Sequence, residues 1–181
     1  MLIYQFDDER IHTGVSREIG DKAGAPPGWA RGPLPLLTGN QVARHAPGIG
    51  WVALDARPAK SATTLAAERA AAWERIKAER ERRKANGTPL GGKWYHSDAD
   101  SRIQQLGLFI MGANVPAVQW KTMDGSFVTM SQQIAGGLFA AVATNDQALF
   151  THAEDLRAAV MASDTPASID ISTGWPATFG E

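Results

Sequence analysis

The stretch QWKTMDGSFVTM, residues 119–130, decides the fold. Asp124-Gly125 separates two short runs rich in Trp, Thr, Phe and Val. A two-residue type I′ turn needs positive φ at both central positions, and Asp-Gly tolerates it, so the spacing predicts a β-hairpin. On both sides the apolar period changes from two to that of a helix. Upstream, Ser97 or Asp98 caps a helix whose apolar face is Ile103, Leu106, Gly107 and Ile110, widened by Leu108, Phe109 and Met111. Gly112-Ala113-Asn114 ends it before Pro116. Downstream, Ser131 caps a helix carrying Ile134, Leu138, Phe139 and Val142. Thr144 or Asn145 is expected to restart the chain into a last helix with Leu149, Phe150, Leu156 and Val160. The hairpin thus turns the chain between helices and supplies Trp120 and Phe127, or Met123 and Val128, to their core. The expected buried set is Trp94, Ile103, Leu106, Trp120, Phe127, Leu138, Phe139, Phe150 and Leu156.

Further upstream, GGKWYHS (91–97) reads as a short strand entered through a Gly-Gly turn. Before it lies SATTLAAERAAAWERIKAERERRKANG (61–87), dominated by strong helix formers. Ser61, Thr63 or Thr64 caps its start, and Asn86-Gly87 fits a left-handed stop. At 1.5 Å per residue this helix runs roughly 35–40 Å. Leu65, Ala66, Ala72, Trp73 and Ile76 form one stripe, which Arg69 interrupts, and Glu79 can pair with Arg83 one turn on. Residues 1–58 are rich in Gly and Pro. There LIYQF (2–6) and WVAL (51–54) read as strands, while His12-Thr13-Gly14 and Asn40 suggest turns. Residues 164–181 read as a tail, with Ile169-Asp170-Ile171 and Trp175-Pro176 as its docking points. The expected architecture is α+β. It has an N-terminal β module or extended arm (1–58), a linking helix (61–87), a compact helical domain with one β-hairpin (88–163) and a C-terminal tail (164–181).

Composition narrows the function. A net charge of -1 over 181 residues gives no whole-chain attraction to nucleic acid or anionic membrane. The absence of cysteine excludes disulfides and thiolate metal sites. The start, MLIYQFDDERIH, lacks the basic and apolar regions of a signal peptide, so no export through the general secretory route is expected. No apolar run has the length of a membrane helix.

Candidate chemistry is sparse. His96-Ser97-Asp98-Ala99-Asp100 places an imidazole and two carboxylates close together, as hard-cation binding or acid–base work would need. The same residues suit a capped helix start, where carboxylates face the positive end of the dipole, and this reading is preferred. His152 and Glu154 are two apart on a helix and point away from each other. His12 and His45 have no partner at motif spacing, and Gly48-Ile49-Gly50 lacks the third glycine of a dinucleotide loop. Gly136-Gly137 suits close helix packing, and Arg80 to Lys84 suits a solvated helix face. Trp51, Trp94 and Trp120 are candidates for stacking on sugars. No catalytic residue, cofactor or metal is assigned, and no enzyme activity is expected.

The motifs AWERIKAERERRK (72–84), GGKWYHSDADSRIQQLGL (91–108) and MGANVPAVQWKTMDGSFVTMS (111–131), with the Phe- and Ala-rich helices beyond, carry a resemblance. Residues 72–162 resemble a domain of uncharacterised function found at the C-terminal end of tail-fibre and tail-fibre-assembly-like proteins of tailed phages and prophages. Tyr4, Phe6-Asp7, Thr13-Gly14, Ala25-Pro26-Pro27 and Gly50-Trp51 are similar to the start of such proteins. The resemblance implies a structural, non-enzymatic tail-fibre or baseplate protein. It would be made in the host cytoplasm, reside in the virion tail, and assemble with other tail proteins. A fibre-assembly chaperone absent from the virion and a carbohydrate-binding module are the alternatives, with a host surface glycan as a further partner.

A homo-oligomer is expected, a trimer first and a dimer next. The stripe on 61–87 is longer than a domain beginning after Gly87 should cover. Leu65, Ala72, Trp73 and Ile76 are therefore the expected inner contacts, and Tyr4, Phe6, Trp29 and Trp51 the outer ones.

Overall fold

The structure, a computed structural model, describes residues 1–181. Its elements are β1 (Leu2–Phe6), β2 (His12–Glu18), β3 (Trp29–Arg31), β4 (Val42–Ala46), β5 (Gly50–Leu54), α1 (Ala62–Ala85), β6 (Thr88–Leu90), β7 (Lys93–Tyr95), α2 (Ala99–Ile110), β8 (Gln119–Lys121), β9 (Phe127–Thr129) and α3 (Gln132–Ala162). Short 3₁₀ turns follow α2 (Gly112–Asn114) and α3 (Pro166–Ser168). The architecture is α+β, with strands first and helices after. The chain divides into two units, Met1–Ala62 and Thr63–Glu181.

In the first unit β1 pairs antiparallel with both β2 and β3, and β4 pairs with β5. His12-Thr13-Gly14 lies within β2, not in a turn. Ile3, Ile11, Ala30 and Ala43 are its buried apolar residues.

The second unit departs from a linker joined to a domain. Helix α1 is an integral wall of it. Ala72 and Ile76 pack with Ala153 and Val160 of α3, and Trp73, Leu156, Ile169, Ile171 and Trp175 close around them. A second cluster joins Tyr95, Met130, Ala135 and Leu138, flanked by Leu90, Leu108, Trp120 and Ile134. Helix α3 spans both clusters because it never breaks. The expected restart at Thr144–Asn145 is absent: no Gly or Pro interrupts it there, and Thr144 Oγ1 simply donates back to the Ala140 carbonyl one turn earlier (3.1 Å). At 31 residues it is about 46 Å long, enough to serve two cores.

The β8–β9 hairpin forms with a different turn. Lys121 pairs with Phe127; the Thr122 amide bonds the Ser126 carbonyl, and the Gly125 amide bonds the Thr122 carbonyl (both 2.9 Å). That is a three-residue loop with a glycine bulge, in which Gly125 alone takes positive φ (84°). Asp124 keeps negative φ because this loop needs positive φ only at its bulge position, and its carboxylate is free to tie the loop together. It accepts from the Thr122 hydroxyl, from the Ser126 amide and hydroxyl, and from Lys93 Nζ. The Lys93 bond, then the hydroxyls, hold its carboxyl well below the usual carboxylate range.

Gly87 stops α1 at φ 96°, as expected. It is walled in by Met123, Trp94 and Phe179. The C-terminal segment docks through Ile169, Ile171 and Trp175, and it adds contacts the sequence did not signal. Besides its expected bond to Glu79 (2.7 Å), the buried Arg83 donates to the Glu181 carboxylate (2.9 Å) and to the Pro176 carbonyl (3.1 Å). Asn86 holds Thr178 and the Phe179 carbonyl. No helix is long and apolar enough to cross a membrane.

Candidate functional site

Helix α2 is set by polar contacts on its inner side. Asp98 caps it, accepting from the Ser101 amide (2.9 Å), and that bond with the Ser101 hydroxyl lowers the carboxyl's pKa. Ser97 is buried and bridges backward, donating to the Lys84 carbonyl (2.6 Å) and accepting from the Gly87 amide (2.9 Å). Arg102 donates to the Ser97 and Lys84 carbonyls and forks onto Asp146 of α3 (2.7 and 3.0 Å). Gln105 is buried and donates to the His96 carbonyl (2.8 Å). The cluster at 96–100 therefore docks and caps the helix.

These ties turn the expected apolar face of α2 outward. At 100° per residue, Ile103, Leu106, Gly107 and Ile110 lie opposite Gln105 and Leu108. Ile103 is 68 %, Ile110 74 %, Leu106 38 % and Met111 46 % exposed. Phe109 (40 %) stacks on Phe139 of α3 (53 %) at 5.9 Å, its ring lying over Gly136, and so extends the surface across both helices. A groove between them is lined by Ile103, Leu106, Phe139 and Val142, together with Arg102 and Gln105. The six side chains amount to about three fully exposed large residues, roughly 600 Å² at about 200 Å² each. The largest apolar patch on a typical monomer is about 300–600 Å², and such a patch is often functional.

The expected core is corrected accordingly. Leu138 is buried, and Trp94, Trp120 and Leu156 are half-buried. Ile103, Leu106, Phe127, Phe139 and Phe150 are exposed. Arg102, Asp146 and Gln105 went unnoticed in the sequence, and no spacing rule signals a clamp across 44 residues.

The contacts expected on α1 are placed differently. Ala72 and Ile76 are fully buried within the chain's own second unit, so its own α3 covers the stripe that was expected to need a partner. Trp73 is half-buried, with Arg157 over its ring at 4.8 Å and Lys77 at 5.8 Å, and Leu65 is half-buried.

In the first unit, Tyr4, Phe6 and Trp51 gather with His12 and His45. Trp51 lies 5.4–6.4 Å from the other four rings, and Phe6 stacks on His45. Trp51 Nε1, His12 Nε2 and His45 Nδ1 are buried there without a hydrogen-bond partner. Burial, then the Arg10 charge, lowers the pKa of His45. Trp29 stands apart under the Arg17 guanidinium at 4.5 Å. Of the tryptophans suited to sugars, Trp51 sits in this cluster, Trp94 packs on Phe179 and Trp120 flanks the second core.

No curated protein and no solved structure matches the chain. A family model does, over residues 67–173, which takes in most of α1, all of α2 and α3, and the hairpin. With more than half of its length matched, the chain belongs to the family described as a domain of unknown function, DUF4376.

Proposed function

We propose that this protein is a structural, non-enzymatic component of a phage tail, associated with the fibre or baseplate, and that it works by protein–protein assembly. The exposed apolar face shared by α2 and α3 carries this reading. A chain that fixes its α2 helix with an Arg102 clamp and leaves Ile103, Ile110 and Phe139 in water gains from a partner that covers them. The aromatic and imidazole cluster around Trp51, whose residues are only half-buried, is a second contact region. The tail context rests on the resemblance of residues 72–162 to domains of tail-fibre and fibre-assembly-like proteins. Host-surface attachment belongs to the same reading, as a property of the assembled fibre.

Mass spectrometry of purified particles against the lysate that yields them tests it. The protein should co-purify with particles at a fixed ratio to other tail proteins. Its presence in the lysate with absence from particles would assign it instead to fibre assembly as a chaperone.

A further inference from the structure

We propose that a second copy of this chain covers the α2 face, through an antiparallel, two-fold pairing of α2 helices centred between Leu106 and Gly107. The proposal rests on the reading of this face as an assembly surface and names its partner.

Spacing is the first argument. The stripe Ile103, Leu106, Gly107, Ile110 is symmetric about its own midpoint. Two such helices laid antiparallel set Ile103 against Ile110 of the partner subunit, and Leu106 against Gly107 of the partner subunit. A large side chain then meets a vacant position twice, which is the self-complementarity that a two-fold interface requires.

Gly107 is the second argument. A glycine inside a helix is unfavourable, and it is tolerated where another backbone or side chain comes close. Nothing in the chain does so: a Cβ built there meets no atom within 4 Å. Gly136 and Gly137 differ, because Phe109 and Leu90 lie against them. The space over Gly107 faces outward, between Ile103 and Ile110, and accepts a leucine from outside.

Charge and area agree. Residues 103–120 and 125–145 contain no Asp, Glu, Lys or Arg. Two copies meet there without like-charge repulsion, since the one charged side chain lining the groove, Arg102, is already paired with Asp146. The roughly 600 Å² of exposed apolar surface matches the apolar share, about 65 %, of the roughly 800 Å² that each partner buries in a standard interface.

The chain has no cysteine, so introduced thiols report pairing cleanly. Full-length Ile103→Cys and Ile110→Cys proteins are oxidised separately and mixed, and the unmodified chain and Ile110→Asp are sedimented at micromolar concentration. The expected results are a doubled mass for the unmodified chain, a monomer for Ile110→Asp with unchanged helix content, and a disulfide in the mixture. Each cysteine protein alone should cross-link little. In the antiparallel pairing identical positions lie about 10 Å apart along the axis, beyond the roughly 7 Å limit for a disulfide. A monomeric unmodified chain, a trimer, or efficient cross-linking of Ile103→Cys with itself would overturn the proposal. Particle content separates the two readings. A monomer whose Ile110→Asp variant is lost from particles overturns the pairing and keeps the assembly role, while a cross-linked dimer absent from particles does the reverse.

Discussion

Two glycines of the second unit should respond to alanine with opposite sign. At Gly87 the backbone has φ 96°, where a Cβ costs about 1–2 kcal/mol. That Cβ would also stand 2.5 Å from Met123 Sδ, 3.2 Å from Trp94 and 3.3 Å from Phe179. The methionine end yields easily, but the indole is held by Phe179, so overpacking adds about 1–3 kcal/mol. Gly87→Ala should therefore cost about 2–5 kcal/mol, a large part of a stability of about 5–15 kcal/mol. At Gly107 the backbone is helical and the surroundings are open, so alanine should stabilise by about 0.5–1 kcal/mol. All three helices belong to the second unit, so far-UV circular dichroism at the helix band reads that unit through a urea titration. With a slope of about 2 kcal/mol per M, the midpoint should fall by roughly 1–2.5 M for Gly87→Ala and rise by a few tenths for Gly107→Ala. The Gly107 comparison is made in the Ile110→Asp background, so that self-pairing does not enter. A Gly87→Ala midpoint within about 0.3 M of the parent would refute the packing described around the end of α1.

Three further outcomes are expected. Ile76→Ala should destabilise the second unit by about 2–5 kcal/mol, measured by the same titration, because Ile76 is fully enclosed by α3 and the C-terminal segment. Arg102→Ala should cost about 2–3 kcal/mol by losing charge-assisted bonds to Asp146 and two carbonyls, and hydrogen exchange should quicken in α2 before α1. Bonds from Arg82 and then Arg83 lower the Glu79 pKa from 4.5 to about 2 in the folded chain. This depressed pKa contributes stability that is present above 4.5 and lost as pH falls toward 2. Glu79→Gln should accordingly lower stability at neutral pH and flatten its decline in acid.

Much of the fold was legible. Helix formers and a Gly stop mark α1, Asp98 and Ser131 cap α2 and α3, and Asp-Gly marks the hairpin. What misled was local reading of features that distant residues decide. The apolar stripe of α2 looked like a core face, but a stripe does not say which way it points. Arg102 meeting Asp146 and Lys84, far apart in sequence, settles that rotation. The Thr144-Asn145 pair resembled a helix start because both residues favour caps, yet a polar pair inside a packed helix is tolerated when a hydroxyl can donate back along the turn. The stripe of α1 looked uncovered because a domain beginning only after Gly87 was expected to be too short to reach along it. One long helix reaches both cores, and the partner of α1 is supplied from within the chain. Apolar side chains of α2 and α3 are what this packing leaves exposed around Phe109 and Phe139.

The assembly role is tested most directly by the particle content of an Ile103→Asp/Ile110→Asp chain. Both positions are mostly exposed, so the fold should be intact and the helix content unchanged. Quantitative mass spectrometry compares variant and unmodified protein in purified particles, each normalised to its soluble amount in the lysate. The expected result is a folded, soluble variant depleted at least tenfold from particles, about 1.4 kcal/mol of lost association. Equal incorporation of the two chains would contradict it.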